Sequence, residues 1–248
     1  MVLEGKIAVV TGGASGIGKA ICKLFASEGA KLVIGDVDEE KGNEVAWEIN
    51  SSGGEAIFFH ADVSNYENVK ALIECAVKNF GRVDVLVNNA GVLLGPYFIH
   101  ETPLDVLEKS LNINVKGVFY GMKCVIPYML NQGGGVIINL ASGMGLVGIP
   151  GLSCYCASKG AVIQLTKTAA LEYARKGIRV VAVAPGPTDT PLLENLLKGF
   201  PDLAEVRIPL GRLASPEEIA NVVLFLASEK SSFITGSVIV VDGGETAT

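Results

Sequence analysis

Histidine is nearly missing from this chain: His60 and His100 are the only two in 248 residues, and neither stands in a ligand-like constellation. A metal site is therefore not expected. The five cysteines, Cys22, Cys75, Cys124, Cys154 and Cys156, are odd in number and form no CxxC pair, so a disulfide framework is not expected either. They read as small core residues, although Cys154 and Cys156 flank Tyr155, where partial access to thiol reagents is expected. No apolar run approaches the ~20 residues of a bilayer-spanning helix. The start, Met1-Val2-Leu3-Glu4-Gly5-Lys6, lacks the pattern of a signal peptide. The expectation is a soluble, cytoplasmic protein with no membrane partner. Basic residues are unclustered and the net charge is −6, which argues against a nucleic-acid partner. Linkers, repeats and low-complexity segments are also missing, so residues 1–248 read as one domain.

What is present is alternation. Strand-length apolar runs at Lys6–Val10, Lys31–Gly35, Glu55–Phe59, Val83–Val87, Val136–Leu140, Ile178–Ala184 and Ser237–Val241 are separated by helical periodicity. The helical stretches are 16–28, 39–51, 65–79, 103–130, 153–175 and 216–227. Strands that are apolar at nearly every position belong to a parallel sheet buried on both faces. The pattern predicts an α/β fold, a doubly wound parallel sheet of Rossmann type. Ser64-Asn65-Tyr66-Glu67 has the form of a capping box, and Ser215-Pro216-Glu217-Glu218 that of a capped helix start. The long interval between Ala184 and Ser215 carries Leu192, Leu193, Leu196, Leu197, Phe200 and Leu203, and about 187–213 is expected to form a substrate lid.

Gly12, Ser15, Gly16, Ile17 and Gly18 follow the first strand and open a helix. Glycines there allow a tight turn, close approach of amides to a pyrophosphate, and close helix–sheet packing. Asp36 ends the second strand, eighteen residues after Gly18, where an acid can accept hydrogen bonds from an adenosine ribose. Its charge would repel a 2′-phosphate, and no Arg or Lys stands at Gly35, Val37 or Asp38 to compensate. The expected cofactor is NAD. A helix-capping role for Asp36 is the alternative.

Ser142 lies just past the strand Val136–Leu140, and Tyr155 and Lys159 follow at i,i+4 spacing on one face of a helix. A phenol has a pKa of about 10, and lowering it by two to three pH units requires roughly 3–4 kcal/mol. An ammonium about 4 Å away, at an effective dielectric near 20, supplies an energy of that order. The pair can thus move protons to and from an alcohol without a metal.

With the Thr11–Gly18 turn, Asp62-Val63, Asn88-Asn89-Ala90-Gly91, Asn114-Val115-Lys116-Gly117, Ser142, Tyr155-Cys156-Ala157-Ser158-Lys159, Pro185-Gly186 and Asp242-Gly243-Gly244, the chain resembles the short-chain dehydrogenase/reductase family over its whole length. The resemblance implies a seven-stranded parallel sheet of order 3-2-1-4-5-6-7 between two helix layers. It implies Tyr155 as general acid/base, with Lys159 lowering its pKa and holding the nicotinamide ribose. Ser142 would bind the substrate oxygen, and Asn114 would hold a relay water. Asp62 and Val63 would contact adenine, and Asn89, Ala90 and Gly91 would line the cofactor channel. Pro185 and Gly186 would lead to Thr188 and Thr190, which would grip the carboxamide. Asn88 and Asp242-Gly243-Gly244 would be structural.

The implied reaction is NAD(H)-dependent interconversion of a secondary alcohol and a ketone. Leu93, Leu94, Met144, Leu146 and Pro187 are expected to surround an apolar small-molecule substrate. A homotetramer assembled through the two long helices is implied as well. One alternative within the family is a 3-oxoacyl-carrier-protein reductase, though Met129-Leu130-Asn131-Gln132 offers an acidic carrier no positive charge; Arg175-Lys176 ends the next long helix. A non-catalytic NAD-binding sensor is the remote alternative.

Overall fold

Ile7–Thr11 (β1) is buried at every position, because its two faces enter two different cores. Ile7 and Val9 join one cluster and Ala8 and Val10 the other. A strand in that position must be apolar throughout. The same logic holds for Lys31–Asp36 (β2), Val85–Asn88 (β4), Gly135–Leu140 (β5) and Ile178–Pro185 (β6), apart from the buried Asn88 and Asn139, which bond to each other. With Glu55–His60 (β3) and Val238–Val241 (β7) they form one sheet in the order β3-β2-β1-β4-β5-β6-β7. Every pairing is parallel. The computed structural model describes residues 1–199 and 208–247.

Three helices cover each face. Gly16–Ser27 (α1), Glu39–Ser51 (α2) and the later Pro216–Ala227 (α8) bury Ile21, Phe25, Val45, Ile49, Ile219 and Val223 on one side. Tyr66–Phe80 (α3), Gly117–Asn131 (α5) and Ser153–Tyr173 (α6) bury Val69, Leu72, Val118, Val125 and Val162 on the other. Leu104–Ser110 (α4) precedes α5, and Pro191–Gly199 (α7) follows β6. The fold expected from alternation is the fold observed.

Two local expectations need correction. Ser64 does not cap α3. Asn65 does, its side-chain oxygen accepting from the Glu67 and Asn68 amides at 2.9 and 3.2 Å, while the Ser64 amide is held by Asp62. The stretch 103–130 is not one regular helix either. Between α4 and α5 the residues Leu111–Lys116 form a π-helical segment, which widens the turn around Asn114. The capping box at Ser215 and Glu218 is formed in full and fixes the start of α8.

Strand order reverses between β1 and β4, the switch point where open α/β sheets bind ligands at the carboxyl ends of their strands. Thr11, Asp36, Asn88 and Leu140 all end strands on that edge.

Candidate active site

The glycine turn after β1 is shaped by close approach. Gly12 has φ +66°, and a Cβ there would meet the Ala90 Cα at 2.8 Å. A Cβ on Gly18 would overlap the Gly12 carbonyl oxygen, so α1 can close on the turn only with glycine at that position. Thr11 Oγ1 accepts from the Asn89 and Ala90 amides at 3.0 and 3.1 Å, and Asn89 Nδ2 donates to the Thr11 and Gly12 carbonyls. The end of β4 is thereby tied to the turn. Ser15 makes no capping bond to α1, which leaves the amides at that helix start unclaimed by a side chain.

A cavity of about 370 Å³ opens over this turn. Gly12, Ser15, Gly16, Ile17, Asp36, Asp62 and Val63 line it, together with Asn89, Ala90, Gly91 and Thr190. The Asp36 carboxylate accepts from the Ala14 amide at 2.9 Å and the Asp38 amide at 3.1 Å, one bond to each oxygen. It does not cap α2; Asp38 does. The carboxylate is therefore held fixed at the cavity with lone pairs to spare. An uncapped helix start, a glycine turn that admits no Cβ, and a fixed acid at the end of β2 fit a dinucleotide.

Sharing Ile17, Asn89, Gly91, Thr190 and Leu192 with the first cavity, a larger one of about 690 Å³ lies over the ends of β5 and β6. Ser142, Tyr155 and Lys159 all line it, as do Pro185, Gly186 and Thr188. Leu93, Met144, Pro187 and the α7 residues Leu192, Leu193, Leu196 and Leu197 make it apolar. Leu196 packs on Leu152 and Tyr155, so α7 covers the phenol. Leu94 and the exposed Leu146 do not line it, contrary to expectation, and Phe200 and Leu203 lie outside the described residues.

Ser142 Oγ accepts from the Met144 amide at 3.2 Å, which leaves its hydrogen free to donate to a ligand. Lys159 Nζ donates to the Leu140 carbonyl at 2.8 Å and lies 5.7 Å from the centre of the Tyr155 ring. Tyr155 and Lys159 are only 8% and 5% exposed. Burial dominates both: it pushes the phenol up to about 12, against a partial lowering by Ser142, and brings the ammonium down to about 8. Lys159 Nζ is directed at the Leu140 carbonyl, and both groups are desolvated, which disfavours the charged form of each.

Asn114 lines neither cavity. Its amide donates to the Val92 carbonyl and to Ser158 Oγ at 2.9 and 3.0 Å, and accepts from the Val92 amide at 2.8 Å. That bonding pins the π-helical segment to α6 and to the chain behind Gly91. A Cβ on Gly91 would come within 3.2 Å of Asn114 Oδ1 and 3.5 Å of Lys159 Nζ. Asn88 braces the sheet, donating to Asn139 at 2.8 Å. Cys154 is buried and Cys156 half-buried; neither lines a cavity with Tyr155.

A family model described as enoyl-(acyl carrier protein) reductase matches residues 12–246. The chain belongs to the short-chain dehydrogenase/reductase family. It is an oxidoreductase of a family whose members use nicotinamide cofactors. A 3-oxoacyl-(acyl-carrier-protein) reductase of Thermotoga maritima is 45% identical, over 98% of this chain and 99% of that one. Cyclohexanol dehydrogenase of an Acinetobacter species is 42% identical over 98% and 95%. The crystal structure of the 3-ketoacyl-(acyl-carrier-protein) reductase of Brucella melitensis complexed with NADH is 40% identical, with a TM-score of 0.91 over 98% and 99% of the two chains.

Some residues of this short-chain dehydrogenase/reductase site escape a reading of the sequence. Thr11 and Ser158 sit inside recognised motifs, but their bonding to Asn89, Ala90 and Asn114 appears only on folding. The Leu140 carbonyl that holds Lys159 has no side-chain signature. Glu245 also lines the larger cavity, and nothing in the sequence marks it.

Proposed function

We propose that this chain is an NAD(H)-dependent oxidoreductase interconverting an apolar secondary alcohol and its ketone, with Tyr155 as general acid/base and α7 as cover; residues 200–207 of the expected 187–213 lid lie outside the described residues. The observation that carries the reading is the convergence of Ser142, Tyr155 and Lys159 on an apolar cavity continuous with the one over the glycine turn. A nicotinamide cofactor, when bound, supplies the carbon that takes or gives the hydride. The glycine turn and the start of α1 would hold its pyrophosphate, Asp36 its adenosine ribose, and Asp62 and Val63 its adenine. Lys159, with two N–H donors beyond the one spent on Leu140, would hold its second ribose. Thr188 and Thr190 would face its carboxamide.

In ketone reduction Ser142 donates a hydrogen bond to the carbonyl oxygen, and Tyr155 delivers its proton to the same atom. A phenol near 12 is fully protonated at neutral pH, ready for that direction. Alcohol oxidation needs the phenolate, so it is expected to quicken as pH rises. Asp36→Ala should lower the kcat/KM ratio of NAD over NADP by ~10–100-fold, the range for a charge-assisted hydrogen bond and a removed repulsion. An unchanged ratio would count against NAD as the preferred cofactor.

The Thermotoga and Brucella relatives favour a second reading, reduction of a 3-oxoacyl group on acyl carrier protein. Assaying acetoacetyl thioesters against secondary alcohols and cyclic ketones, with NADH and NADPH separately, separates the two. A thioester turned over far better than any alcohol or ketone would replace the first reading with the second. Apolar side chains exposed on α4, α5 and α6, among them Leu104, Phe119 and Leu171, support a homotetramer built on those helices. A sedimentation mass of one chain would remove it.

A further inference from the structure

Among the described residues the larger cavity has two charged lining residues, Lys159 and Glu245, and the chemistry above uses only the first. Glu245 reaches the cavity because the chain after β7 is folded into a tight turn. Asp242 Oδ1 accepts from the Gly244 amide at 2.9 Å, and Oδ2 accepts from the Thr246 amide and hydroxyl at 2.8 and 2.6 Å. These bonds clamp the backbone on both sides of Glu245. Gly186 lets the turn close on the end of β6, since a Cβ there would meet the Asp242 Cα at 2.7 Å. The expectation that Asp242-Gly243-Gly244 is structural therefore acquires a purpose: it aims the next side chain.

Glu245 Oε2 comes within 3.5 Å of where a Cβ on Gly143 would stand, one residue along from Ser142. The carboxylate thus sits on the Ser142 side of the cavity, where the reacting oxygen is bound. No hydrogen bond from the described residues supports it. Burial and the neighbouring Asp242 charge raise its pKa. The carboxylate is half-buried, and toward the cavity it keeps acceptor capacity that no described residue fills. Lys159 does not neutralise it, its ammonium being directed at Leu140.

We propose that Glu245 is a specificity-determining residue that accepts a hydrogen bond from a second donor on the substrate, so that diols and hydroxyketones are preferred to simple alcohols and ketones. A carboxylate-bearing alcohol is disfavoured by the same charge. The proposal rests on the reading of this cavity as the substrate site of an alcohol–ketone oxidoreductase.

The test compares kcat/KM for cyclohexanol, the positional cyclohexanediols and 4-hydroxycyclohexanecarboxylate in wild type, Glu245→Gln and Glu245→Leu. NADH binding by fluorescence serves as the control for folding. At least one diol should exceed cyclohexanol by ~10–100-fold, the range for a charge-assisted hydrogen bond. Glu245→Leu should erase that preference, bringing the diol-to-cyclohexanol ratio of kcat/KM to about one or below. Glu245→Gln keeps an acceptor without the charge, so it should retain part of the diol preference and accept the carboxylate substrate better than wild type does. An equal fall on every alcohol in Glu245→Leu would mean a purely structural role and overturn the proposal. A diol preference that survives Glu245→Leu overturns it too. Wild-type protein that binds NADH yet oxidises no alcohol would overturn the reading beneath it as well, whereas turnover of cyclohexanol with no diol preference sinks this proposal alone.

Discussion

Tyr155→Phe is expected to bind NADH as the wild type does and to lose at least ~100-fold in kcat, the usual size of a general acid/base contribution. The variant keeps the ring that packs against Leu152 and Leu196, so the wall of the cavity and the seat of α7 survive. It removes one oxygen, and with it the proton that would reach the substrate. Its companion is the pH profile of the wild type. Because the phenol titrates near 12, ionising it in the site costs about 3 kcal/mol more than in water, and oxidation should climb with pH well above neutrality. A Phe variant with near wild-type kcat would refute the role assigned to Tyr155.

Lys159→Met is expected to cut activity severely and, at pH 7, to make the unliganded protein more stable. A buried ammonium held at about 8 rather than its ordinary 10.5 represents about 3 kcal/mol of burial cost in the folded state. The sign follows from which state holds the proton. Below pH 8 folded and unfolded chains both carry it, and the folded chain bears the full cost. Between about 8 and 10.5 the folded chain releases it first, so wild-type stability rises relative to the variant. Above that window both are neutral and the difference is constant. Tyr155 titrates in both proteins and drops out of the comparison. Urea denaturation of the two proteins at pH 7, 9 and 10.5 reads the effect directly. A stability difference that does not change with pH would show that the Lys159 charge is not paid for by the fold.

Periodicity carried the architecture because the constraint it reports is simple. A strand such as β1 that enters two cores must be apolar at every position, and helix starts must satisfy their amides locally. Where a neighbouring residue could do the same job, the sequence misled: α3 begins at Tyr66, one residue later than a Ser64 cap requires, and Asn65 takes the capping position. The π-helical segment at Leu111–Lys116 was equally invisible, since the contact that stabilises it, Asn114 to Val92 and Ser158, crosses between elements.

The sequence by itself determined the sheet, its helices, the glycine turn, and the nearness of Ser142, Tyr155 and Lys159, because each follows from local spacing or from a strand end. Tertiary structure decided the electrostatics and the shape of the substrate cavity. Whether Lys159 lies close enough to acidify Tyr155 depends on burial and on the Leu140 carbonyl, which no spacing encodes. That Glu245 enters the cavity depends on a turn packed against Gly186, far away in the chain. Free energies of charges scale with distance and solvent access, and both are fixed only when separate elements meet.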